Sequence, residues 1–513
     1  MIEKDKSMRL IKKTTSLFRS KVKNQIARSQ WNDITSLCVA GSLLLLAACD
    51  TVDPKQIGAV DSVDGPLGGV ASDEPRATLI AQDILSSGGT AADAATALYF
   101  TLAVTYPIAG SLGGGGECIT YNRESNKLEN LKFPVGLAKA GGEIGVPGNI
   151  RGFSALHARH GRMSWSSVLA PAEKLANFGE SMSRAQHAAM VSSSSKVQFD
   201  AGLSKLYLNE DGSLKKEGTK IQQVRLSSIL SNLRTNGGAF FYGGTMAKAF
   251  IDDANFVGGK LTTTDLIYYR PAWQDAATFT NGVITIGTSV GPQGALYQEV
   301  WQKIYSGKGV LHLNQDINLT KLAEASASSF QKYANYNPFG AGGMTSFVTA
   351  DNEGNAVSCL VGLGKPFGSG KTGDISGIVM ASALGDKEAE FPTAPVVMVN
   401  LVNKDLYFAG AATGGIAGTL SSVYTALKIF GEDQPLETAI SAPRVFTMGQ
   451  GLPLLYEPKV MPDDLTTIVK QHPVAIEVER LGKVNSVYCK NGKLNQCQSR
   501  ADPRGYGLSL IQR

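Results

Sequence analysis

Histidine is scarce in this chain, with five among 513 residues. Six cysteines form no Cys-x-x-Cys pair, and no His-rich spacing stands beside them, so nothing suggests a zinc site. His157 and His160 are a lone i, i+3 pair on a helix-like segment, which reads as a surface face and not as metal ligands. Charged residues are 18% of the chain and hydrophobic ones 43%, which excludes wholesale disorder. A net positive charge is also missing from most of the chain. Residues 1–48 hold nine Lys/Arg against three acids, a net of +6, so the overall +5 leaves the remainder at −1. A near-neutral body carries no electrostatic footprint for nucleic acid, and none is expected as a partner.

The basic stretch of residues 1–48 leads into an apolar run from Ile34 to Ala48, too short to span a bilayer comfortably as a mature helix. A positive region, an apolar region and small residues at the cut make a signal peptide, with Met8 a second candidate start. Leu46-Ala47-Ala48-Cys49 resembles a bacterial lipobox, in which Cys49 is lipidated and becomes the new N-terminus. An uncleaved anchor helix is the alternative. Either reading ties the body to a membrane, on the periplasmic side of a bacterial envelope. Residues 49–68, polar and rich in Asp, Gly and Pro, then form a flexible tether.

Order is expected from Gly69. Ala77–Leu85 reads as an amphipathic helix closed by Gly88-Gly89, and Thr90 caps an Ala-rich helix from Ala91 to about Val104. Ser111 through Gly116 is a loop before a strand, Glu117–Tyr121. Residues 145–250 look mainly helical, with Trp165–Phe178 and Gln222–Asn236 as segments, and residues 275–287 alternate like one strand. Thr345–Ala350 and Ala356–Val361 form a hairpin turning at Gly354. Strands at Pro395–Leu401 and Leu406–Ala409 precede a helix, Leu420–Ile429, that follows Gly414-Gly415. The alternation points to a layered α/β architecture. Cys118 and Cys359 lie in apolar strands and read as core. Cys489 and Cys497 flank an Asn491-Gly492 turn, which leaves open a cross-strand bridge or two free thiols.

Four stretches occur together in order. The first runs from Val70-Ala71-Ser72 through Gly88-Gly89-Thr90-Ala91-Ala92-Asp93 to Gly113–Gly116. The second is Gly145-Val146-Pro147-Gly148 with Gly161-Arg162-Met163-Ser164-Trp165. The third is Phe241-Tyr242-Gly243-Gly244-Thr245 with Lys260 through Leu266. The fourth is Thr345-Ser346-Phe347, Asp351 through Val357, and Phe367-Gly368-Ser369-Gly370. They are similar to segments of the γ-glutamyltranspeptidase (glutathione hydrolase) family of N-terminal-nucleophile hydrolases, and the resemblance covers residues 68–513. It implies a four-layer αββα sandwich, with residues 69–343 corresponding to the large subunit and 344–513 to the small one. It also implies self-cleavage before a Thr that then attacks a γ-glutamyl amide, its own amine acting as base. Neither cofactor nor metal is implied.

Carried over position by position, the resemblance meets altered residues. Counting back without gaps from Asp351 and Gly354 places the nucleophile on Met344, and Thr345, the candidate nucleophile of this chain, stands one step on. Pro134 replaces a carboxylate-binding Arg, Phe391-Pro392 replace paired serines, and Gly362 and Gly364 replace a Thr and an Asn. Asp386, matching the acid that holds the substrate amino group, and Gly414-Gly415, matching the oxyanion glycines, are retained. Three readings follow: a self-processing enzyme cut between Met344 and Thr345, a degenerate binding or structural lipoprotein, or an enzyme for a small amide other than a γ-glutamyl one.

Overall fold

The computed structural model describes residues 69–511, apart from 306–316, 334–341, 384–392, 450, 461–465, 467 and 471. The leader, the tether with Cys49, and Asp386, Phe391 and Pro392 lie outside the described residues.

Two antiparallel sheets form the centre. The first has seven strands in the order Leu508–Ile511, Gly69–Ser72, Met344–Ala350, Ala356–Gly362, Gly115–Asn122, Lys127–Phe133 and Ala272–Asp275. The second has six, in the order Cys497–Arg500, Lys483–Cys489, Asp405–Thr413, Val396–Asn400, Ile284–Thr288 and Ala277–Asn281. Residues before and after position 344 contribute to both sheets, so the two subunit-like regions share one body. Strand alternation assigns the faces. Ala71, Ile119, Val348 and Ala350 pack against Val397, Val399, Ala409 and Val487 between the sheets. Phe347, Val357, Val361 and Phe133 turn to the opposite side, into the core with the helices.

The helix Ala91–Thr105 illustrates why the outer layer forms. Thr90 accepts from the Asp93 amide while Asp93 accepts from the Thr90 amide, a reciprocal cap that satisfies two end donors. Every residue from Ala91 to Val104 is buried, which six alanines permit by letting backbone approach backbone. Asp93 also accepts from the amides of Arg162 and Met163, at 2.9 and 3.1 Å, and so binds the Gly161–Trp165 segment to this helix. Tyr99 then stacks on Phe153 at 4.0 Å, and Phe153 packs on Phe347 of the first sheet. Beyond the second sheet, Gly415–Glu432 and Pro292–Ile304 bury Tyr297, Trp301, Val423 and Leu427. The result is the αββα arrangement.

Three expectations need correction. Residues 275–287 are not one strand: the chain reverses at Gly282 (φ 60°) between Ala277–Asn281 and Ile284–Thr288. Cys118 and Cys359 are buried, yet they are also bonded to each other, because their two strands place them directly opposite. The 241-residue separation hides that register from sequence. His157 and His160 are not a surface face, with side chains only 12% and 14% exposed. His157 Nε2 lies 3.0 Å from the Met163 carbonyl and 3.3 Å from Asp93, and His160 Nε2 lies 3.3 Å from Glu129. Cys489 and Cys497 are paired in register and bonded, with the left-handed Asn491 and Gly492 in the connection between their strands.

Candidate functional site

The strand Met344–Ala350 places neighbouring side chains on opposite faces. Its pairing with Ala356–Gly362 runs without a bulge from Ala350 opposite Ala356 to Met344 opposite Gly362. Gly342 and Gly343 therefore do not shift the register. Gly343 instead continues the strand: its carbonyl accepts from Leu363 N at 2.9 Å, and a Cβ on it would fall 2.2–2.4 Å from the Lys365 backbone. Gly362 lies beneath this crossing. A Cβ there would stand 2.7 Å from both the Gly343 carbonyl oxygen and Met344 Cγ. Glycine is what lets the chain from 343 to 344 and the Met344 side chain lie across this strand.

Thr345 is fully buried. Its hydroxyl donates to Asp73 Oδ2 at 3.1 Å, and the same carboxylate accepts from Ser346 N (3.3 Å) and Asn485 Nδ2 (3.1 Å). Lys483 Nζ completes the cluster 3.3 Å from Asp73 Oδ2. Burial would lower the Lys483 pKa, but Asp73 outweighs it and raises it, so the ammonium stays charged. Asn485 also donates to the Ser346 carbonyl, at 3.0 Å. The cluster thereby links the end of Gly69–Ser72, the Met344 strand and a strand of the second sheet.

Met344 lines a cavity of about 200 Å³ at one end of four interior strands of the first sheet. Pro134, Gly362 and Gly364 line it too, so the fold gathers positions that sequence alone marked as altered. Its other walls include Val135, Leu360, Glu117, Lys132 and Gln293. Glu117 is 6% exposed. Gln293 Nε2 donates to it at 3.0 Å and Asn130 Nδ2 at 3.4 Å. Burial pushes the Glu117 carboxyl up from its ordinary value, despite those donors and the nearby Lys132. Lys132 stands directly opposite Glu117 on the next strand, but its ammonium donates to the Val290 carbonyl at the exposed rim.

Gly414 and Gly415 close the strand Asp405–Thr413 and begin the helix Gly415–Glu432. Both have positive φ, 111° and 61°, and a Cβ on Gly414 would meet Gly482 Cα at 2.8 Å. A helix N-terminus in this conformation presents amides suited to developing negative charge. The same strand accepts, at Ala411, the Ser346 hydroxyl (3.3 Å), which couples it to the Met344 strand across the sandwich. Among the described residues no group of His, Cys, Asp and Glu could hold a metal ion.

The model of the gamma-glutamyltranspeptidase family matches residues 77–136, 134–294 and 288–511. The chain belongs to this family. It is 31% identical over 256 residues to a glutathione hydrolase proenzyme of Escherichia coli, a match covering 45% of the chain and 44% of that enzyme. A glutathione hydrolase proenzyme of Bacillus subtilis is 26% identical over 514 residues, covering 81% and 86%. A cephalosporin acylase from Bacillus halodurans shares the fold, with TM-score 0.73 at 19% identity over 91% of this chain and 99% of that one.

Sequence reasoning did not single out Asp73, Glu117, Lys483 or Asn485. Glu117 had a signal: an acid inside an apolar strand directly after four glycines. Asp73, Lys483 and Asn485 had none, because Asp73 lies 410 and 412 residues before the other two in the chain.

Proposed function

We propose that this family member is an envelope lipoprotein that does not cut itself and uses the cavity under Met344 to bind a small molecule. One observation carries the reading. The only hydroxyl at the expected cleavage point, that of Thr345, is turned away from the cavity and engaged by Asp73, while the thioether of Met344 occupies the cavity wall. A thioether cannot attack a carbonyl as a hydroxyl does. Pro134 offers no guanidinium to a γ-glutamyl carboxylate, so glutathione would lack its bidentate anchor. The basic leader, the apolar run and Leu46-Ala47-Ala48-Cys49 support a lipid anchor at Cys49 and a position on the periplasmic side.

The retained Gly414 and Gly415 favour a second reading, hydrolysis of a small amide other than a γ-glutamyl one. Denaturing electrophoresis and N-terminal sequencing of the purified protein separate the two. One band, with glutathione turned over no faster than in buffer, is the expected result. A fragment beginning at Thr345 overturns it.

A further inference from the structure

We propose that the cavity under Met344 takes a small apolar ligand bearing a primary amine, anchored by the Glu117 carboxylate. The inference rests on reading this cavity as a binding site. Glu117 shares a sheet face with its register partners Leu360 and Lys132, and is 6% exposed. The side chains beside it that can donate, Gln293, Asn130 and the Ser289 hydroxyl, are all neutral, and among the described residues no cation stands within ion-pair distance of it, Lys132 acting on it only through space. Lys132 is opposite, yet its ammonium is committed to the Val290 carbonyl at the rim, where solvent screens it. A buried carboxylate without an ionic partner is costly, and one in a cavity wall marks a site for a cation.

The rest of the wall sharpens the choice. Pro134, Val135, Leu360 and Met344 are apolar, and Pro134 supplies no charge for a carboxylate. A carboxylate ligand would meet the negative charge of Glu117, whereas an ammonium would form a charge-assisted hydrogen bond away from bulk water. About 200 Å³ falls below the roughly 300–1,000 Å³ of pockets for drug-sized ligands, so the ligand is small, on the scale of one aromatic ring with a short amine arm. The groups facing Glu117 are Lys132 from the neighbouring strand, Asn130 from the same neighbour, and Gln293 and Ser289 from the helix Pro292–Ile304 and its approach. Only Lys132 among them titrates. Burial raises the Glu117 pKa, so amine binding should strengthen as pH rises and the carboxyl ionises.

The test uses calorimetric titration of the full-length protein in detergent with 2-phenylethylamine, 2-phenylethanol and 3-phenylpropanoate. The amine should bind at least tenfold more tightly than the alcohol, and the carboxylate most weakly. Glu117→Gln should cost the amine at least tenfold. Amine affinity should rise between pH 5 and 8 in the parent protein and stay flat in Glu117→Gln. The proposal is overturned if the carboxylate binds as well as the amine, if no amine binding is detected, or if Glu117→Gln leaves it unchanged. The comparison of three probes on the parent protein decides the matter even if Glu117→Gln does not fold. A fragment beginning at Thr345 would instead sink the uncleaved reading and leave the probe comparison to stand by itself.

Discussion

Thr345→Val isolates the role of the one hydroxyl at the expected cut. Valine keeps the shape and loses only the donor. A hydrogen bond to a charged group contributes about 1.5–3 kcal/mol. Asp73 keeps Asn485, the Ser346 amide and Lys483 after the change, so the loss falls at the low end, about 1–2 kcal/mol. Thr345→Ser keeps the donor and removes one buried methyl group, for about 1 kcal/mol. Thr345→Ala does both and should lose about 2–3 kcal/mol. Urea unfolding of the full-length protein and its variants reads these differences, with denaturing gels run on the same samples. If Thr345 is structural, stability falls least in Thr345→Ser, more in Thr345→Val and most in Thr345→Ala, and every variant runs as the parent does. A parent protein in two pieces, with Thr345→Ser still cut, Thr345→Val whole and no stability lost, would refute the reasoning.

Gly362→Ala would force a Cβ to within 2.7 Å of the Gly343 carbonyl and Met344 Cγ, and should destabilise by about 1–3 kcal/mol in the same urea assay. Adding Met344→Ala should recover little, since the backbone carbonyl remains. Asp502 is buried between Arg444 and Arg504. Burial alone would raise its pKa, but the two guanidinium groups outweigh it and hold it below the usual carboxylate range. A carboxyl depressed in the folded state stabilises fully above its unfolded value, about pH 4, and the contribution fades as pH falls through the folded value. Asp502→Asn should therefore lose about 3–5 kcal/mol at pH 7 and lose less further stability than the parent between pH 4 and 2. Cys49→Ser should release the body from membranes or trap the precursor; fractionation showing normal processing and unchanged membrane association would count against the anchor.

Local chemistry made much of this protein legible from its sequence. Thr90 and Asp93, three residues apart, set a helix start, and alternation along 344–350 assigned Met344 and Thr345 to opposite faces, because both signals depend on neighbours within a few residues. The ordered motifs pointed to the family and so to the layered fold. What the sequence could not contain was register between distant strands. The Cys118–Cys359 bond, the crossing of Gly343 and Met344 over Gly362, and the meeting of Asp73 with Thr345, Lys483 and Asn485 each join segments that become neighbours only when the sheets assemble. Glu117 shows the same division: its charge was visible in the chain, but its burial without a cation was decided by Lys132 reaching the rim instead of crossing to it. Side-chain identity is local information, whereas which charges end up paired depends on packing between elements far apart in sequence.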